Sequence, residues 1–292
     1  MTLWIVSPML HDTESYARVR DEVLAHCATL DRPIRFVVVD DSAGSDGDVD
    51  RLRGFDDVEV LTPPFNLGHQ RAIVFGLRRI AERVADDDIV VTMDSDGEDQ
   101  PSDVPRLVAA LTDRTALVVA ERTERTESLS FRAMYVCFRV LFRLLTGTAV
   151  RSGNFAAQRG RSLVTTIGHP SFDLCYSSTL LTLRRPMEQV PCARGTRFAG
   201  RSRMSRHSLV AHGIRMMLPF NERIAVRSLV AAALSFVALV TTVVLVLTGA
   251  LGDSPGVGVI TVVIALAAVF VVTLVSFVVL FAGDAQAAPR TP

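Results

Sequence analysis

The sequence predicts an α/β fold on a mostly parallel sheet, followed by a C-terminal two-helix hairpin of membrane-spanning length. Three observations carry this. From Leu3 to Ala120, short aliphatic runs alternate with helical stretches, the pattern of strand–helix–strand units with right-handed crossovers. Three of the runs break off into polar clusters, as strands do when they end at a ligand crevice. Two charge-free stretches, Ser228–Leu251 and Pro255–Gly283, are each long enough to cross a bilayer, with only Gly252-Asp253-Ser254 between them.

In chain order, Leu3–Val6 reads as a strand ending at Ser7-Pro8, and Thr13–Thr29 as a helix with Thr13 as its candidate cap. Ile34–Val39 is a second strand, ending in Asp40-Asp41-Ser42 before a small polar loop, Ala43–Asp48. Val58–Leu61 is a third, short strand, and Asn66-Leu67-Gly68 opens a helix from His69 to Val84. Ile89–Met93 is the fourth strand, Asp103–Leu111 a helix and Ala116–Ala120 a fifth strand. Unbroken apolar runs, rather than alternating ones, mark strands buried on both faces. The clusters Pro8–Asp12, Asp40-Asp41 and Asp94–Asp99 then gather at one edge of one sheet.

The fourth strand runs into Asp94-Ser95-Asp96-Gly97-Glu98-Asp99-Gln100-Pro101. Carboxylates so close repel one another unless a cation joins them. Hard oxygen ligands suit Mg or Mn, ions that also hold substrate phosphates. The plainer reading is a solvated acidic turn closed by Pro101.

Composition narrows the chemistry. All 31 basic residues are Arg, which excludes Schiff-base and P-loop lysines. No Gly-x-Gly-x-x-Gly or Walker motif occurs. The net charge of +0 gives no global attraction to nucleic acid, so none is expected as a partner. Cys27, Cys137, Cys175 and Cys192 match no zinc spacing and read as reduced thiols of a cytosolic domain.

Between Phe131 and Leu145, Phe131, Met134, Tyr135, Phe138, Leu141, Phe142 and Leu145 recur at helical spacing, with Arg132, Arg139 and Arg143 on a separate stripe. A basic amphipathic helix with an aromatic face suits a membrane interface, or else packs on a core with its arginines solvated. Ser208–Phe220 reads as a second interfacial helix, with Leu209, Val210, Ile214, Met217 and Leu218 on one side. Arg215, Arg223 and Arg227 precede the first long apolar stretch and Arg290 follows the second, while the turn has no Arg. The positive-inside rule then places both ends in the cytoplasm, and the first residues do not form a signal peptide. The expected organisation is a cytoplasmic domain over residues 1–205, a juxtamembrane helix over 206–225 and a hairpin over 226–292, with spans at about 228–251 and 256–282. The chain is expected to be a multi-pass protein of the inner (plasma) membrane, in contact with membrane lipids.

Four motifs, in order, carry a resemblance: Val37-Val38-Val39-Asp40-Asp41-Ser42, Asn66-Leu67-Gly68 with Ala72, the Asp94–Pro101 stretch, and Arg197-Phe198-Ala199-Gly200-Arg201-Ser202. The chain resembles the family 2 glycosyltransferases of the GT-A, Rossmann-like type, and within them the polyprenyl-phosphate sugar synthases. The resemblance implies inverting transfer of a sugar from a UDP- or GDP-linked donor to polyprenyl phosphate. It places Pro8, Asp12 and Asp40 in the base and ribose pocket, with Asp41, Gly68 and Ser95 beside the nucleotide sugar. Asp94 and Asp96 match the family's Asp-x-Asp pair and, with Glu98, would hold Mg or Mn; relatives often carry Gln where Glu98 stands. Arg197 would meet the donor diphosphate as the basic loop Ala193–Met204 orders around it. Arg122 and Arg132 match arginines that receive the lipid phosphate, so Asp96, Arg122 and Arg132 are the candidate catalytic residues. The family's Tyr-Asn-Glu is Leu10-His11-Asp12 here, its Asp-Gly-Ser is loosened to Asp41–Gly47, and Val136 replaces a Ser. Transfer to another membrane lipid, a non-catalytic scaffold and a metal-dependent phosphohydrolase are the competing readings, and a homo-oligomer is left open. The clustered acids speak against a scaffold, and the lack of a His-rich second metal site speaks against a phosphohydrolase.

Overall fold

A computed structural model describes residues 1–112, 114–122, 129–150, 152–199, 206–248 and 255–287. The chain forms two units: Met1–Ala133 with Val150–Pro219, and Met134–Ala149 with Phe220–Pro292.

The first unit runs β1 (Leu3–Met9), α1 (Thr13–Cys27), β2 (Ile34–Asp40), α2 (Asp50–Arg53), β3 (Val58–Leu61), α3 (His69–Ala81), β4 (Ile89–Thr92), α4 (Val104–Ala110) and β5 (Leu117–Arg122). Helix α5 (Leu129–Thr146) follows, then β6 (Ser152–Arg159), α6 (Gly160–Thr166), α7 (Tyr176–Thr182), β7 (Met187–Cys192) and α8 (Arg206–Met217). The strands form one seven-stranded sheet in the order β3-β2-β1-β4-β6-β5-β7. Among the described residues, β6 runs against its neighbours, β4 and β5, and every other pairing is parallel.

Neighbouring residues on each strand point to opposite faces. Ile5, Phe36 and Val91 therefore meet Val19 and Val23 of α1 and Leu107 of α4, while Val6, Val37 and Val90 meet Ile73, Leu77 and Ile80 of α3 and Leu163 of α6. Both faces are covered, which is why these strands are apolar throughout.

The predicted strands β1 to β5 and the helices between them are present, with shifted ends. β1 continues through Pro8 to Met9; Pro8 pairs only with β2, because β4 stops opposite Val6. A proline there leaves no ladder position on the β4 side without its N–H. Thr13 is the first helical residue rather than a cap, and its hydroxyl donates to Asp46 at 3.0 Å, pinning the Ala43–Asp48 loop. Helix α1 tightens into a 3-10 turn at Ala28–Leu30, and α3 ends at Ala81, three residues short of the expected Val84. Strands β6 and β7 are additional to those five.

The second unit contains α5 from Met134, α9 (Asn221–Leu247) and α10 (Pro255–Ala287). Phe142 is fully buried and meets Phe220 edge-on at 5.4 Å, with Phe138 at 5.7 Å. Arg227 donates to the Leu144 carbonyl at 2.9 Å, placing a cation on the C-terminal carbonyls of α5. Helices α9 and α10 pack against each other, yet Leu229, Leu234, Phe236, Leu266 and Phe270 are each more than 60% exposed. Two stretches, Ser208–Leu245 and Gly258–Val275, are long and apolar enough to cross a membrane.

Candidate functional site

The acidic turn leaves β4 at the C-terminal edge of the sheet. Met93 donates its N–H to Val6, and pairing then stops, while β1 runs on to Met9. Asp94 is thereby free to turn toward β6 and α3. Its Oδ1 accepts Asn154 Nδ2 at 2.6 Å and His69 Nε2 at 3.2 Å, and Arg122 lies 4.0 Å from Oδ2. The chain reverses at Gly97, whose φ of +86° suits glycine and where a Cβ would lie 2.8 Å from the Phe198 ring. The reversal brings Asp99 back: one oxygen accepts the Asp94 N–H at 3.0 Å, the other Arg122 at 3.1 Å.

The neighbouring strand supplies the other wall. Asp41, after β2, accepts the N–H groups of Leu67 and Gly68 at 2.6 and 2.9 Å, holding the Gly68 turn against the sheet. Asp40 is fully buried and accepts the Ser42 N–H at 3.1 Å. Asp12, at the start of α1, lies 3.5 Å from Arg197. Ser95 is buried in the turn. Helix α8 brings His212 and Arg215 to the Gly68–His69 turn.

The stretch Ala193–Ala199 folds back over the acids. Gly195 donates its N–H to the Glu98 carbonyl and Phe198 to the Asp96 carbonyl, both at 2.9 Å, and Gln100 Nε2 reaches the Ala193 carbonyl at 3.0 Å. Arg197 pairs with Asp96 Oδ2 at 2.7 Å, and Arg194 pairs with Glu98. The Arg18 guanidinium stacks on Phe198, 4.0 Å from the ring centroid.

The charges are not independent. Burial, then the charge of Asp94 and, less strongly, of Glu98, pushes Asp96 up to about 6. Burial and Asp94 push Asp99 up to about 7 despite Arg122. For Asp94, burial works against the anion, but His69, Arg122 and Asn154 outweigh it and hold the carboxyl well below the usual range. For His69, crowding works against the proton, but Asp94, Asp99 and Asp96 outweigh it, so its pKa is raised.

Set against the sequence expectations, Pro8, Asp12, Asp40, Asp41, Gly68, Asp94, Ser95, Asp96, Glu98 and Arg197 all belong to the first unit, at the ends of β1, β2 and β4 and the turns facing them. The expected metal set does not converge: Asp94 faces His69 and Asn154, Asp96 faces Arg197 and Glu98 faces Arg194. Among the described residues no three carboxylates or imidazoles meet at one point. The reversal at Gly97 sends alternate acids in different directions. Their chemistry still fits a hard divalent ion, since four acids lie within six positions, burial and the Asp94 charge raise Asp96 and Asp99, and the group leans on arginines. Arg122 is engaged by Asp99. Nor is the Ala193–Ala199 half of the basic loop without contacts; it is hydrogen-bonded to the acidic turn, and residues 200–205 lie outside the described residues, as does the Arg132 side chain. Sequence reading missed Asn154, whose strand it did not assign, and His212, which sits among apolar residues read as a membrane face.

The description Glycosyl transferase family 2 matches residues 15–174, more than half the chain. The undecaprenyl-phosphate 4-deoxy-4-formamido-L-arabinose transferase of Proteus mirabilis (strain HI4320) is 27% identical over 129 residues, covering 42% of this chain and 38% of that protein. The protein of the same name from Klebsiella pneumoniae subsp. pneumoniae is 26% identical over 151 residues, covering 50% and 44%. The chain thus matches less than half the length of these relatives. Among solved structures, glucosyl-3-phosphoglycerate synthase from Mycobacterium tuberculosis, in complex with Mn2+, UDP and phosphoglyceric acid, aligns with a TM-score of 0.52 at 18% identity, over 76% of this chain and 78% of that one. Mannosyl-3-phosphoglycerate synthase from Rubrobacter xylanophilus aligns with 0.53 at 15%, over 77% and 74%. These likenesses establish a GT-A fold. By its sheet, its acidic turn and the match over residues 15–174, the chain belongs to glycosyl transferase family 2.

Proposed function

We propose that the protein moves a sugar from a nucleotide donor, of the UDP type, to polyprenyl phosphate at the cytoplasmic face of a membrane. The observation that carries this is the acidic turn at the sheet's C-terminal edge, with three arginines from two segments directed at it: Arg122 at the end of β5, and Arg194 and Arg197 from the stretch after β7. Such a site suits two anions that must be brought together. The names of the curated relatives favour a polyprenyl phosphate acceptor, and helices α9 and α10 favour a lipid one.

A Mg or Mn ion would be held by Asp96 and Glu98, with Asp94, and would supply charge neutralisation to the donor diphosphate. The chain's own groups do the rest. Asn154 and His69 aim Asp94. Asp40 and Asp12 face the nucleoside, with Pro8 and Ser95 shaping the pocket. Arg197 stabilises charge on the departing diphosphate, and Arg122 orients the acceptor phosphate, whose anionic oxygen needs no strong general base. That oxygen bonds to the anomeric carbon as the bond to the diphosphate breaks, which inverts the configuration.

The test is an assay of the full-length protein in membranes with labelled UDP- and GDP-sugars. Polyprenyl phosphate, diacylglycerol and 3-phosphoglycerate serve as alternative acceptors. Inverted glycosyl phosphate on the polyprenyl acceptor alone supports the reading. Transfer only to 3-phosphoglycerate, the acceptor class of the structural neighbours, overturns it.

A further inference from the structure

We propose that Arg194 and Arg197 are built-in counter-ions of the acidic turn, so that a divalent cation loads only by displacing them and the donor diphosphate then receives them. This rests on reading Asp96 and Glu98 as metal ligands. Asp96 Oδ1 already accepts the Glu98 N–H at 2.9 Å, which leaves Oδ2, and Arg197 holds Oδ2 at 2.7 Å. Glu98 Oε2 is held by Arg194 through Nε at 3.1 Å and through a second guanidinium nitrogen. A guanidinium therefore occupies the one Asp96 oxygen left over from the turn's own hydrogen bonds, and one oxygen of Glu98. A cation and an arginine cannot share such an oxygen, because each needs the same lone pairs and the two repel.

The arrangement is built rather than incidental. Two backbone hydrogen bonds seat Gly195 and Phe198 on the carbonyls of Glu98 and Asp96, so both arginines are delivered in register with the acids. Phe198 lies on Gly97, where any side chain would collide with it, and the Arg18 guanidinium stacks on the ring. Arg197 also keeps a buried Nε with no hydrogen-bond partner among the described residues. That donor is unused in the paired state and is available to a phosphate oxygen.

Coupling follows. Metal alone must break two charge-assisted pairs. Metal with a nucleoside diphosphate gives the arginines new acceptors, so each ligand should favour the other.

The experiment is a Mn2+ titration, read as free Mn2+ by electron paramagnetic resonance, on the full-length protein in detergent with and without UDP. Without UDP, Arg194→Ala/Arg197→Ala should bind Mn2+ roughly tenfold tighter than wild type, within the usual range of coupling between sites. UDP should tighten Mn2+ binding less in this variant than in wild type. Arg194→Gln/Arg197→Gln, which keeps side-chain length, should behave the same way and guards against a folding defect in the alanine pair. Equal or weaker Mn2+ binding by both variants overturns the proposal. If Asp96→Asn binds Mn2+ as wild type does, the metal reading itself fails, which is a distinct result.

Discussion

The two ends of β4 carry the same residue type in opposite circumstances. At its start, Asp88 is buried and accepts three neutral donors: the Thr2 N–H at 2.6 Å, Trp4 Nε1 at 3.1 Å and the Ala85 N–H at 3.1 Å. Burial works against its charge, but these donors outweigh it and its pKa falls. At its end, Asp96 and Asp99 are pushed up to about 6 and about 7 by burial and by the charge of Asp94, and they lean on Arg197 and Arg122. A carboxylate satisfied by neutral donors ties the chain together. A cluster that remains over-charged after its hydrogen bonds are counted has capacity for a cation and for phosphates.

Substitution at each end of β4 separates the two roles. Asp96→Asn should lower transfer on the order of a thousandfold or more, since a metal contributes several kcal/mol to such steps, and should leave the fold intact. Asp88→Asn should do the reverse, costing about 1–3 kcal/mol of stability with the rate per folded molecule unchanged. Initial rates beside melting curves for both variants decide the matter; equal damage to activity would erase the distinction.

Arg122 sharpens the picture at the polar end. Arg122→Ala should raise the apparent acceptor requirement roughly ten- to a hundredfold, the scale of about 1.5–3 kcal/mol for a charge-assisted bond. Nucleotide binding by calorimetry should change little, and Arg122→Lys should recover only part of the loss, because an ammonium lacks the forked geometry. A loss of nucleotide affinity instead would move Arg122 to the donor side. Asn154→Ala removes the 2.6 Å bond that aims Asp94 and should cost about tenfold or less in kcat/KM for the donor. An unchanged kcat/KM would mean that Asp94 needs no such aiming.

The smallest effect is on pH dependence. An ordinary Asp titrates near about 4, so a folded value of about 6 or 7 means that the fold favours the neutral carboxyl. That stability is fully present below about 4 and is lost as pH rises through about 6 and 7. The melting temperature of the metal-free protein should therefore decline between about pH 4 and 7, and Asp99→Asn should flatten the decline. A melting temperature that rises over this range contradicts the description of the cluster.

Much of this was legible in the sequence because burial on both faces forces unbroken apolar runs. β1 to β5, the Gly68 turn and the acidic turn all follow from such runs and what ends them. β6 was not legible: Ser-Gly-Asn-Phe-Ala-Ala-Gln-Arg is small and polar, and its small Ala156 and Ala157 pack against both helical layers without a β-branched signature. With β6 unseen, Asn154 was unseen. The spacing of Asp94, Asp96 and Glu98 suggested one converging ligand set. The positive φ at Gly97 instead reverses the chain, which gives each acid its own partner and lets Asp99 claim Arg122.

The most direct test of the acidic turn as a cation-and-phosphate site is UDP binding by calorimetry, with Mn2+ and with EDTA, for wild type and Asp96→Asn. Wild type should bind UDP at least about tenfold more tightly with Mn2+, a coupling of about 1.4 kcal/mol, and Asp96→Asn should show no such gain. Equal UDP affinity in Mn2+ and in EDTA, for a wild-type protein that is fully folded, would contradict it.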